Sequence, residues 1–357
     1  MEKEKETEKE ETVEMKENCE HEEKSITQNV FDALSDEIMG NPAISPEEKV
    51  RNLSRLMKIR ETRINLMLVG ATGCGKSSTV NALFQMERAK VGVGTDPETH
   101  CLRKYELDNL TIWDTPGLGD SVEADRKYMD MIQRKLMELD ADGNPLIDIV
   151  LVIIDASQKD LGTVFECVNK VIVPVLGKEA EHRILIALNQ ADMAMKGNHW
   201  DAEHNCPDDV LTDFLDKKSA SIGRRIKEST GIFFRPVYYC AGYKEDGNRQ
   251  RIPYNLTKLL SVIVGAAPKE KRLVIADVLN PDESMWACND NSADYKSRVR
   301  REFWDSVYYW VKKCAAFGSN LGTVALGKPG GAAGKALGAL TGVFVGLYNA
   351  VFRKQTK

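Results

Sequence analysis

The stretch Gly70-Ala71-Thr72-Gly73-Cys74-Gly75-Lys76-Ser77 follows directly on an apolar run, Ile64 to Val69, and leads into the helix-compatible run Ser78 to Phe84. A GxxxxGK[ST] spacing set between a strand and a helix admits few folds. Its glycines let the backbone curl until successive N–H groups face one point, and the helix that follows adds the positive end of its dipole. Such a loop cradles a phosphate chain. Residues Gly70 to Ser78 are therefore the expected phosphate-binding set: the Lys76 ammonium reaches the β and γ oxygens, and the Ser77 hydroxyl offers an oxygen to Mg2+. The loop leaves ATP and GTP equally open.

From Arg63 onward, apolar runs rich in Ile, Val and Leu alternate with longer helical stretches, the pattern of a mostly parallel sheet covered on both faces. Six strands are predicted: Ile64 to Val69, Cys101 to Leu107, Leu110 to Trp113, Ile149 to Ile154, Ile184 to Leu188 and Phe233 to Tyr239. Asp108-Asn109 is read as a tight turn, making that hairpin the one antiparallel step.

Two further motifs follow strands of this sheet. Asp114-Thr115-Pro116-Gly117 places a carboxylate at the sheet edge beside the phosphate loop, where Asp114 can hold Mg2+ through water and the Gly117 N–H can sense a γ-phosphate. Asn189-Gln190-Ala191-Asp192 closes the fifth strand. A carboxylate there accepts both the N1–H and the N2 amino group of guanine, which adenine cannot supply, so Asp192 selects GTP.

With GATGCGKSSTVNALF, WDTPGLGD and NQAD in this order, the chain resembles the Era-like branch of the translation-factor class of P-loop GTPases. Within it the resemblance is to the prophage-associated bacterial subgroup called ribosome-binding GTPases; similar phosphate loops occur in immunity-related and chloroplast-import GTPases. It covers roughly Arg63 to Ala266 and implies a three-layer α/β small G-protein domain with GTP as substrate and Mg2+ as cofactor. It also implies a switch threonine that ligates Mg2+, matched by Thr99 with Thr95 as the less favoured choice, and a base-side turn matched by Cys240-Ala241-Gly242. Lys76, Thr99 and Gly117 are then the catalytic set, and Ser77, Thr99 and Asp114 the metal set.

Departures from the family pattern limit what the resemblance carries. Gly73 stands where potassium-stimulated members have asparagine. Leu118 stands where a glutamine orients the attacking water in many GTPases, and an aliphatic side chain cannot hold water, so slow intrinsic turnover is expected. Gln190 replaces the lysine that packs across the guanine plane. Glu123, Asp125 and Arg126 are candidates for the missing group, each weighed against a merely solvated loop charge. His100 and His182 read as surface or packing residues, and His199, His204 and Cys206 lack ordered metal-ligand spacing.

The eight cysteines form no CxxC pair, which suits a reducing cytosol, and the Glu/Lys-rich start has no apolar core of a secretory signal. Residues 1 to 24 carry eleven Glu against five Lys and are expected to be a disordered acidic tail. Residues 25–62 are read as a helical extension of two short helices, the second opened by Ser45-Pro46-Glu47-Glu48 as N-cap, first-turn proline and capping-box glutamate. The GTPase domain spans 63–266 and a helical region 267–317. In the latter Tyr295, Val299, Phe303, Val307 and Val311 form a stripe that should dock on something.

In 318–357, Gly330, Gly334, Gly338, Gly342 and Gly346 recur every fourth residue and give a helix one smooth face, a device of membrane-helix packing. The uncharged run Ala336 to Phe352 would make about 25 Å of helix, marginal against a hydrocarbon core of about 30 Å. From Ser306 to the end there are seven bases and no acid, suiting an anionic membrane surface. A soluble tail packed on the GTPase domain is the competing reading.

The expected whole is a GTP-hydrolysing switch, slow alone and stimulated by a partner or by self-association through the GTPase domain or the glycine-spaced tail, with membrane or helix association at that tail. The alternatives are a soluble ribosome- or RNA-associated factor and a module that holds GTP with little turnover.

Overall fold

The computed structural model describes residues 45–93, 102–159, 161–243 and 251–316, with isolated positions before residue 45. The acidic tail, the first of the two short helices, Thr95, Thr99, His100 and the glycine-spaced tail lie outside the described residues.

Helix α1, Pro46–Arg60, starts at the proline directly after Ser45, as its capping pattern predicts. It leads into β1 (Ile64–Gly70), the phosphate loop and α2 (Lys76–Leu83). Strands β2 (Lys90–Val93), β3 (Arg103–Leu107) and β4 (Leu110–Asp114) follow, then α3 (Val122–Met137) and β5 (Ile149–Asp155). Next come α4 (Gly162–Cys167), a π-helical turn Val168–Ile172, and the short α5 (Val173–Leu176) and α6 (Ala180–Arg183) before β6 (Ile184–Asn189). A small hairpin of β7 (Trp200–Asp201) and β8 (Cys206–Pro207) precedes the long α7 (Asp209–Thr230) and β9 (Val237–Tyr238). The described chain ends with α8 (Leu256–Ala266), α9 (Arg272–Asp277) and α10 (Tyr295–Ala316).

The main sheet runs β2-β3-β4-β1-β5-β6-β9. β1 pairs in parallel with both β4 and β5, and β5–β6 and β6–β9 are also parallel. All six expected strands are present. A seventh, β2, adds to the edge antiparallel to β3, so there are two antiparallel steps rather than one. Its four residues, Lys-Val-Gly-Val, are too short and too weakened by Gly92 to read as a strand. The last strand is reduced to Val237–Tyr238 because Pro236 has no N–H to give the ladder.

Side-chain alternation along β1 divides the core. Ile64, Leu66 and Leu68 face α2, α8, α9 and α10, whereas Met67 and Val69 face the residues of α3, α4 and α7. All seven residues of β1 and of β5 are buried, which explains their mostly apolar character, with Asn65 and the terminal Asp155 as the polar exceptions. The stripe on α10 has its partner: Tyr295, Val299 and Phe303 are buried, and the helix packs on α8 and α9 in the same core as β1. Arg272 pins this corner, donating to the Ala267 and Gly265 carbonyls at 2.9 Å each and pairing with Glu302. Among the described residues no helix is long and apolar enough to cross a membrane.

The chain passes from β1 to the β2–β4 side and returns to β5 on the other. The loop after β1 thus sits where strand order reverses, the crevice in which open α/β sheets bind ligands.

Candidate functional site

At the end of β1 the loop turns through Gly73 (φ +77°) and Gly75 (φ +88°), left-handed values that favour glycine. Gly75 caps α2, and its carbonyl accepts from both the N–H and the Oγ1 of Thr79, at 2.9 and 2.8 Å. Lys76 curls back so that its Nζ lies 3.2 Å from the Gly70 carbonyl and 3.3 Å from that of Ala71. The ammonium is thereby held over the loop. Ser77 is exposed at the head of α2 and Ser78 half-buried. Cys74 is fully buried; burial pushes its thiol up to about 11, against the pull of Lys76, so at neutral pH it is a packing group rather than a nucleophile.

The Asp114–Gly117 segment is laced to this loop. Leu118 donates its N–H to the Gly70 carbonyl and accepts from the Thr72 N–H, both at 3.1 Å. Thr115 Oγ1 donates to the Leu68 carbonyl at 2.8 Å. A Cβ on Gly117 would stand 2.2 Å from Thr72 Oγ1 and 2.5 Å from Thr72 Cα, so only glycine fits. Asp114 is buried and its Oδ1 has no hydrogen-bond partner. Burial raises its carboxyl above the usual range, opposed by the charges of Lys76 and Arg103. An orphaned buried carboxylate oxygen beside a phosphate loop fits a hard cation. Asp114, with the Ser77 hydroxyl, is the described part of the expected Mg2+ set.

On the base side, Asn189 is nearly inaccessible and bonded at both atoms of its amide. Its Nδ2 donates to the Cys74 carbonyl and its Oδ1 accepts from the Ala241 N–H, both at 3.0 Å. Gln190 adopts a left-handed backbone and donates from Nε2 to the Gly73 carbonyl at 2.7 Å. Asp192 is half-buried against Cys240, whose thiol is driven upward by burial and by the aspartate's charge. The expected phosphate loop, metal carboxylate, guanine motif and Cys240-Ala241-Gly242 turn thus meet along the carboxyl ends of β1, β4, β6 and β9. Thr99 falls outside the described residues.

Other candidates sort by their contacts. Asp125 is buried and accepts from the Gly119 N–H at 2.8 Å, which holds the loop before α3, while Glu123 and Arg126 are exposed on that helix. His199 pairs with Asp208 and His204 with Asp201, each at 2.7 Å, and among the described residues no group of three or more His, Cys, Asp or Glu could hold a metal. Two contacts had no signal in the sequence. Thr79 Oγ1 and Tyr239 OH meet at 2.6 Å across 160 positions, and Thr72 Oγ1 donates to Asp120 Oδ1 at 2.9 Å.

Residues 65–190 match the family model described as 50S ribosome-binding GTPase. YfjP, an uncharacterized protein of Escherichia coli strain K12, is 30% identical over 169 residues, covering 46% of this chain and 53% of that protein. YkfA of the same strain, also uncharacterized, is 29% identical over 130 residues, covering 36% and 41%. The chain therefore spans about half the length of these relatives or less. Toc33 of Arabidopsis thaliana in complex with GDP and Mg2+ is similar at 19% identity over 68% of this chain and 98% of that one, with a TM-score of 0.37. The match to this GTPase family model is confined to 65–190; Asp192, strand β9, the Cys240-Ala241-Gly242 turn and the flanking helical segments lie outside it.

Proposed function

We propose that this chain is a Mg2+-dependent guanine-nucleotide switch that hydrolyses GTP to GDP and phosphate. The observation that carries the reading is the Asn189 side chain, which ties the phosphate loop at Cys74 to the base-side turn at Ala241. That tie fixes the distance between a phosphate cradle and the Asp192 carboxylate, the span a nucleoside triphosphate must bridge. Asp192 accepts from guanine N1–H and N2–H; loop amides and Lys76 neutralise the phosphates; the Gly117 N–H donates to the terminal one. Asp114, Ser77 and Thr99 would hold Mg2+, which would supply positive charge to offset that of the phosphates. Loss of that phosphate releases Gly117 and the loop after it.

Turnover by the protein alone is slow, because Leu118 offers no hydrogen bond to water. A partner or a second copy raises it, and the glycine-spaced tail supplies membrane or helix association. A soluble ribosome-associated role is the second reading, favoured by the description of the matching family. Titration with guanine and adenine nucleotides in Mg2+ tests the nucleotide claim, and partition of the full chain between ribosomes and anionic vesicles decides between the two roles.

A further inference from the structure

Leu118 is more than chemically unsuited to hold water. Its side chain is only 1% exposed, packed among the residues of β1, α3 and β5, and its N–H and C=O are both bonded to the phosphate loop. The backbone bonds hold the loop in place, and the side chain cannot turn toward a phosphate without leaving its packing. Gly119, at φ +101°, then reverses the chain and brings Asp120 out to the solvent side. There the Asp120 carboxylate accepts from Thr72 Oγ1 at 2.9 Å, and Thr72 is the residue against which Gly117 is packed. Among Asp120, Glu123, Asp125 and Arg126, which follow Gly117, Asp125 is occupied by the Gly119 N–H, Glu123 and Arg126 are exposed on α3, and Asp120 is bonded to the phosphate loop.

We propose that Asp120 is the hydrogen-bond acceptor that orients the attacking water, in the role Leu118 cannot take; this rests on the GTP-hydrolysis reading above. Thr72 occupies one carboxylate oxygen and so fixes the group, leaving the other free to accept from a water O–H beside the terminal phosphate. The water oxygen forms the new bond to the γ-phosphorus as the bond to the β–γ bridging oxygen breaks. GDP keeps that electron pair, one water proton leaves on the phosphate and the other passes to solvent. Asp120 orients the nucleophile and is unchanged.

The test compares wild type, Asp120→Ala and Thr72→Val, each checked by thermal melting. Hydrolysis is followed with protein in excess over Mg2+·GTP, and binding of GTP, of GDP and of GDP with aluminium fluoride is measured by calorimetry. The expected result is a fall in rate of roughly 10- to 100-fold for Asp120→Ala and a smaller fall for Thr72→Val. For Asp120→Ala, GTP and GDP affinities should stay within about threefold, with loss of the aluminium fluoride complex that mimics the transferring phosphoryl group. A rate within about twofold of wild type, or a rate loss matched by an equal loss of GTP affinity, overturns the assignment. Wild-type protein that binds no GTP, or binds it without any turnover, instead refutes the GTPase reading itself.

Discussion

A Cβ built on Gly75 would stand 2.2 Å from the Nδ2 of Asn189. The phosphate loop and the guanine-side loop are therefore packed against each other, with the Asn189 amide filling the space a larger loop residue would need. The two loops form one preorganised unit.

Breaking that unit should cost both stability and binding. In Asn189→Ala the Cys74 carbonyl and the Ala241 N–H lose their partner in a buried setting, worth about 1–3 kcal/mol. Urea denaturation should show that loss, and calorimetry a GTP affinity at least about tenfold weaker. Gly75→Ala should be worse for binding, since it combines the clash with a left-handed backbone.

Asp114 should behave in the opposite way. Its Oδ1 is buried without a partner, so the free protein carries the cost of that carboxylate. Asp114→Asn should leave the melting temperature of nucleotide-free protein unchanged or higher. It should also abolish the Mg2+-dependent part of GTP affinity, and chelation of Mg2+ should bring wild type to the level of the variant.

The C-terminal helices share the core of β1, and their removal should be felt as core damage. Phe303, 5% exposed on α10, belongs to the same cluster as Ile64 and Leu66. Phe303→Ala should cost about 3–5 kcal/mol. Urea unfolding followed by far-UV circular dichroism and by tryptophan fluorescence should shift together in one transition. Two separated transitions would mean that α10 folds independently of the sheet.

Asp290 supplies a pH test. Burial pushes its carboxyl up, but hydrogen bonds from Lys258, the Ser292 N–H and Tyr295, with the charge of Lys258, outweigh burial and hold it below the ordinary range. A depressed folded pKa gives stability that is fully present above the unfolded value and lost as pH falls through the folded one. Asp290→Asn should therefore cost about 1–3 kcal/mol at pH 7. The gap to wild type should narrow only below the ordinary aspartate range, as measured by denaturation across pH.

Much of the fold was legible because burial on both faces writes a strand as a continuous apolar run, as in Ile149 to Ile154. The phosphate loop, Asp114 and Asn189 were legible because each motif sits directly at the end of one of those runs. What was illegible depends on contacts distant in sequence. Periodicity gave Tyr295, Val299 and Phe303 a common face but not its partner, the α8–α9 corner. The register of Lys90–Val93 on β3 is set by its neighbour rather than by its own four residues. Leu118 could be read as unable to hold water, yet its burial, and the bond that seats Asp120 on Thr72, follow from the loop's reversal at Gly119.

Asp192, on the loop that follows Asn189, would make a Mg2+-dependent phosphate cradle specific for guanine. Calorimetry of the full chain with GTP, GDP and ATP in Mg2+, repeated on Asp192→Ala, measures it directly. Guanine nucleotides should bind at least about a hundredfold more tightly than ATP, and the variant should lose most of that preference, since a site built to bond a polar group discriminates by several kcal/mol. Equal affinity for ATP and GTP, or no binding of guanine nucleotides with Mg2+ present, would contradict it.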